Sequence, residues 1–192
     1  MLFVSLVLCA ATSLRSASRS LELLLSFFGL ALSAPAWSSG RLWLLRLGYY
    51  KLSRPKEPAE DWVWIVDHTV QMGVEKCLVI LGIRLSSLPP PGQCVGHEEV
   101  EPIGLYPVKH SSGEMVFEQL EEAVEKTGVP REILSDDGPD LQAGIKQFCA
   151  NHPESCAIYD IKHKTAVVLK HELEGEAAWE EFRQCSSQTK QK

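Results

Sequence analysis

Hydrophobic positions change their spacing twice along the chain. Residues Leu21, Leu23, Leu24, Leu25, Phe27, Phe28, Leu30 and Leu32 predict a dense apolar helix that ends near Ser33, ahead of the Ala34-Pro35 turn. A second helix over 38–47 carries Leu42, Trp43, Leu44 and Leu45, exposes Arg41 and Arg46, and stops at Gly48. SRPKEPAE at 53–60 is Pro-rich and charged and reads as a linker. Beyond it the spacing becomes that of strands. WVWIVDHT (62–69) is one apolar run, turned by Gln71-Met72-Gly73, and KCLVILGIR (76–84) is the next. Pro-Pro-Pro-Gly at 89–92 breaks the chain, and 100–108 supplies a third strand weakened by Pro102 and Pro107. An amphipathic helix over 113–126 places Val116, Phe117, Leu120, Ala123 and Val124 on one face and ends at Gly128. REILS (131–135), a helix over 141–150, CAIYD (156–160) and a last helix over about 162–182 complete the chain.

Three leading strands on short connections form an antiparallel meander, and strands separated by helices return parallel to the first. That order describes an α/β chain: a ribonuclease-H-like mixed five-stranded sheet flanked by helices, over 61–192. A helical segment, 1–52, stands in front of it. Two helices joined by a small-residue and Pro turn fit either a helix-turn-helix or an ordinary helical hairpin.

Composition narrows the class. At 192 residues and 45% hydrophobic, the chain is too apolar to be disordered, and six cysteines are too few for a disulfide scaffold. The cysteines show no zinc-ligand spacing and read as reduced thiols. Residues 1–56 hold seven Lys or Arg against Glu22 alone, net +6, while 57–192 carry 12 basic and 24 acidic residues, net −12. A basic head suggests a polyanion contact. MLFVSLVLCAA at 1–11 imitates the apolar part of a signal peptide. No basic residue precedes it, however, and Arg15, Arg19 and Glu22 separate it from the next apolar stretch, so neither export nor a membrane partner is expected.

Candidate chemistry lies at strand ends. Asp67 closes WVWIV and Asp136 follows REILS. If the first and fourth strands are parallel neighbours, the two carboxylates meet at one edge about 5 Å apart. Their repulsion is relieved by a shared divalent cation, Mg²⁺ or Mn²⁺, which suits phosphoryl transfer. The competing assignment is structural: an Asp after a strand is commonly a cap or turn residue, and Asp136-Asp137-Gly138-Pro139 is turn-forming. His68, next to Asp67, points to the other face by the strand period. His163 and Lys164 read either as surface residues or as contacts to phosphate or to a metal-bound water.

Residues from about 21 to 183 resemble a bacterial insertion-sequence transposase of the DDE type, in the ribonuclease-H-like integrase superfamily. DWVWIVDHT at 61–69, REILSDDGPDL at 131–141 and YDIKHKTAVVLK at 159–170 carry the likeness. The middle segment resembles the integrase pattern S-D-N-G-x-E-F, with Asp137 for Asn and Asp140 for Glu. This implies that Asp67 and Asp136 are the first two catalytic, metal-holding carboxylates. The third resembles the D-x-x-H signature of the Mutator-like group, mapped onto Asp160 and His163. The resemblance further implies strand cleavage and transfer at double-stranded transposon ends and a cytoplasmic, nucleoid-associated bacterial protein. It also implies homo-oligomers or pairing with an intact transposase, and a DNA-binding helix-turn-helix whose recognition helix is 36–52. Arg41, Arg46, Lys51 and Arg54 would then contact the DNA backbone.

Transposases with this signature carry a helical insertion and then a catalytic glutamate, and the chain ends at Lys192 before both, so a truncated and impaired enzyme is expected. Glu172, 36 positions after Asp136, lies near the spacing of integrases that lack the insertion. The alternative function is a non-catalytic DNA-binding remnant that acts as a regulator or is inert.

Overall fold

The computed structural model describes residues 1–72, 75–136 and 138–190, so Gly73 of the expected turn and Asp137 of the middle motif lie outside the described residues. The chain divides into two compact units, Met1–Pro55 and Lys56–Lys192.

The first unit holds three helices, α1 (Leu2–Leu8), α2 (Leu14–Phe27) and α3 (Trp37–Ser53), around buried Phe3, Ala17 and Leu21. α2 begins earlier than the apolar run suggests, because Ser13 accepts a hydrogen bond from the Ser16 N–H at 3.1 Å and caps the helix. It also ends earlier, at Phe27, where Gly29 takes φ +63°, instead of running to Ser33. α3 passes through Gly48 and stops at Ser53, because Arg54 precedes Pro55 and is held extended. The connection between α2 and α3 is therefore residues 28–36, longer than the three- or four-residue turn of a helix-turn-helix.

The second unit contains β1 (Trp62–Met72), β2 (Glu75–Arg84), β3 (Val100–Val108), α4 (Gly113–Thr127), β4 (Glu132–Ser135), α5 (Pro139–Asn151), β5 (Cys156–Tyr159), α6 (Ile161–Leu173) and α7 (Ala177–Lys190). Its five-stranded sheet has the order β3-β2-β1-β4-β5. β1 pairs antiparallel with β2, and β2 with β3; β4 lies parallel to β1, and β5 parallel to β4. This mixed sheet with its flanking helices is the ribonuclease-H-like fold. β3 tolerates Pro102 and Pro107 because it is an edge strand. β1 does not turn at Gln71-Met72 but stays paired as far as Met72↔Glu75, with a bulge between His68 and Val70.

Alternation in β1 turns Trp62, Trp64 and Val66 onto one sheet face, where Leu78, Ile80 and Ile133 join them. Val116, Leu120 and Ala123 of α4 and Leu141, Ile145 and Phe148 of α5 cover that face. Ser112 caps α4 through the Met115 N–H. The expected last helix is two helices: α6 ends at Leu173, and Gly175, at φ +100°, breaks the chain before α7. No disulfide is formed among the described residues. No helix among the described residues is long and apolar enough to cross a membrane.

The start of β1 is pinned to the end of β2 by charge. Arg84 Nε bonds the Asp61 carboxylate, Arg84 Nη1 lies 2.9 Å from Glu57, and the guanidinium sits 5.4 Å from the Trp62 ring centroid. Hydrogen bonds from the Ser86 side chain and backbone, and then from Arg84, hold the Asp61 carboxyl down at about 2. Because the folded value lies below the ordinary one of about 3.9, this contribution to stability is complete above about pH 4 and is lost as pH falls toward 2. Denaturant midpoints measured from pH 5 to pH 2 are expected to fall, and Asp61→Asn to flatten that part of the profile.

Candidate active site

The parallel ladder sets the site. Val66 of β1 is level with Ser135 of β4, and Ser135 is level with Tyr159 of β5. The next residue on each is an aspartate, so Asp67, Asp136 and Asp160 form a row, about 5 Å per strand. Asp136 and Asp160 follow the ends of β4 and β5, whereas Asp67 does not close its strand as expected but lies within β1, which stays paired with β2 as far as Met72. The Asp160 N–H donates to the Ser135 carbonyl at 3.0 Å and carries the β4–β5 pairing one position further. Asp67, Asp136, Asp160 and His163 border one cleft of about 160 Å³, walled below by Ile65 and Leu134.

The three carboxylates differ in their other duties. Asp67 is exposed. Asp136 Oδ1 accepts the Gly138 N–H at 3.3 Å, an Asx turn that leads into α5. Asp160 Oδ1 accepts the Lys162 and His163 N–H groups at 2.8 and 3.4 Å and so caps α6. Each of the last two keeps one oxygen outside these bonds. His163, in the first turn of α6, is exposed, and Lys164 places its ammonium 5.1 Å from the Tyr159 ring centroid. Among the described residues, no group of three or more His, Cys, Asp or Glu is placed to hold a metal ion. A row of hard oxygen donors on one cleft nonetheless fits Mg²⁺ or Mn²⁺, which keep several waters and take only one or two protein carboxylates.

Glu172 does not border this cleft. It is 12 residues from Asp160, most of them in α6, or about 18 Å along the helix axis. Arg41, Arg46 and Lys51 lie on α3 and Arg54 is its C-cap, all in the first unit. Their five-residue spacing turns successive side chains by about 140°, so Arg41, Arg46 and Lys51 do not share one face.

His68 turns away from Asp67 to the helix-covered face. Its Nε2 lies 3.1 Å from Ser111 Oγ, and its Nδ1 lies 3.7 Å from Asp140 Oδ2. Burial pushes the Asp140 carboxyl up, but the Ser111 hydrogen bond and the neighbouring His68 outweigh it and hold the carboxyl below its ordinary value. Sequence reasoning marked Asp140 only as a motif substitution and did not single out Ser111. A serine pair ahead of an amphipathic helix signals a cap, and no periodicity connects it to position 68.

No protein-family model and no curated protein matches the chain. Among solved structures, the HTLV-2 integrase catalytic core domain in complex with magnesium is similar at 16% identity and a TM-score of 0.35, over 62% of this chain and 71% of that one. A simian T-cell lymphotropic virus intasome in complex with PP2A regulatory subunit B56 gamma is similar at 14% identity and a TM-score of 0.36, over 69% of this chain and 44% of that one.

Proposed function

We propose that the chain is a metal-dependent polynucleotidyl transferase of the transposase kind, acting on double-stranded DNA at transposon ends. The observation that carries this reading is the row of Asp67, Asp136 and Asp160 on one cleft, just past the last β1–β4 and β4–β5 pairs. Asp67 and Asp136 would hold Mg²⁺ or Mn²⁺, with Asp160 beside them. A divalent ion bound there offsets charge on the scissile phosphate and lowers the pKa of water. The protein's own part is positional. The parallel ladder brings Asp67 and Asp136 level with each other, and the Asx turn at Gly138 orients Asp136. The cap of α6 keeps His163 at the rim, where its imidazole donates to a phosphate oxygen. Of Arg41, Arg46, Lys51 and Arg54, those on the side of α3 that faces DNA would add phosphate contacts whose affinity falls with salt and carries little sequence information.

A second reading, a non-catalytic DNA-binding protein that occupies transposon ends or pairs with an intact transposase, is favoured by the cap and turn duties of Asp160 and Asp136. A supercoiled-plasmid nicking assay with the full chain separates the two. The enzyme reading expects nicked circles with Mg²⁺ or Mn²⁺ and none with EDTA. DNA retention on a gel without nicking under any of these conditions supports the non-catalytic reading.

A further inference from the structure

The β1–β4 ladder ends one position before it is needed. Its last pair is Val66↔Ser135, so Asp67 and Asp136 both lie just beyond the hydrogen bonds that hold their strands together. β1 then departs from regular register between His68 and Val70, and the chain after β4 turns into α5. The backbone pairing of His68 with Leu78 ties β1 to β2, on the side away from β4. Something else must set the gap between the two aspartates.

The link present at that point is a side-chain cross-tie. His68 follows Asp67 directly, and Asp140 sits in the first turn of α5, four residues after Asp136. The 3.7 Å contact between them joins the two aspartate-bearing segments past the end of the ladder. Ser111 Oγ, from the loop ahead of α4, lies 3.1 Å from the imidazole, and the same hydroxyl helps hold the Asp140 carboxyl below its ordinary value. The His68 and Asp140 side chains are only 13% and 21% exposed, so water competes weakly for these contacts.

We propose that His68 is a positioning residue that, through Asp140 and Ser111, sets the separation of Asp67 and Asp136 and hence their joint affinity for a divalent cation. The inference rests on the metal-holding reading above. Groups that orient metal ligands without touching the metal typically change its affinity 10–100-fold when removed, and a loss of about that size is expected here.

Calorimetric titration of the full chain with Mn²⁺ tests this, with thermal unfolding recorded for every protein. His68→Ala and Asp140→Ala are each expected to raise the Kd about 10–100-fold. The double variant should be no worse than either single one, since both remove the same link. His68→Gln, which keeps an amide donor, should recover part of the affinity. If His68→Ala does not fold, Asp140→Asn and Ser111→Ala make the same measurement with smaller disturbance. Wild-type binding with variants that unfold at lower temperature but bind Mn²⁺ equally well overturns the cross-tie and leaves the carboxylate reading standing. A wild-type chain that binds no Mn²⁺ overturns both.

Discussion

Asp136→Asn is expected to lower plasmid nicking about 1000-fold or more while leaving the fold intact, because loss of a group in direct contact with the reacting centre commonly removes several orders of magnitude in rate. Asn keeps the side-chain shape and the oxygen that accepts the Gly138 N–H at 3.3 Å, so the turn into α5 survives. What disappears is one negative charge and a hard oxygen ligand in a cleft shared with Asp67 and Asp160. Asp67→Asn should behave alike. Neither substitution should change DNA retention on a gel, since the phosphate contacts are assigned to the basic residues of the first unit. Rates from single-turnover nicking with circular dichroism as a folding control check the expectation. A variant that nicks at the wild-type rate would remove Asp136 from the chemistry.

Trp64→Ala is expected to destabilise the second unit by about 3–5 kcal/mol, the range for truncating a large buried aromatic side chain. Trp64 is fully buried, its ring centroid 5.9 Å from that of Phe148 on α5, in the layer between β1 and the two helices that cover it. A typical domain has only about 5–15 kcal/mol of net stability, so this one substitution is a large share of it. Trp64→Phe should cost less because most of the ring volume is retained. Urea midpoints for the three proteins measure the difference.

How much of this was legible from the residues varied with how local the cause was. Alternation in Trp62-Val63-Trp64-Ile65-Val66 marks one buried face, and the helix-covered core lies there. The order of strands and helices was enough to make β4 parallel to β1, because connection length decides direction. That the two are neighbours entered only as a condition, and the sheet order β3-β2-β1-β4-β5 meets it. The boundaries that moved depended on causes one or two residues wide: a serine cap ahead of α2, extended Arg54 before Pro55, and positive φ at Gly29 and Gly175. Apolar spacing across 162–182 is continuous enough to suggest one helix, and only the backbone angle at Gly175 shows two. The His68, Ser111 and Asp140 contacts bring together positions 43 and 72 residues from His68, and no local pattern encodes such a meeting.

The central claim is that Asp67 and Asp136 share one cation, and a crystal structure of the full chain with bound Mn²⁺ tests it most directly. The account predicts a single anomalous peak at coordination distance from a carboxylate oxygen of both residues, just past the last β1–β4 pair, Val66↔Ser135. Clear density for both side chains with manganese bound elsewhere, or with the two carboxylates on different edges of the sheet, would contradict it.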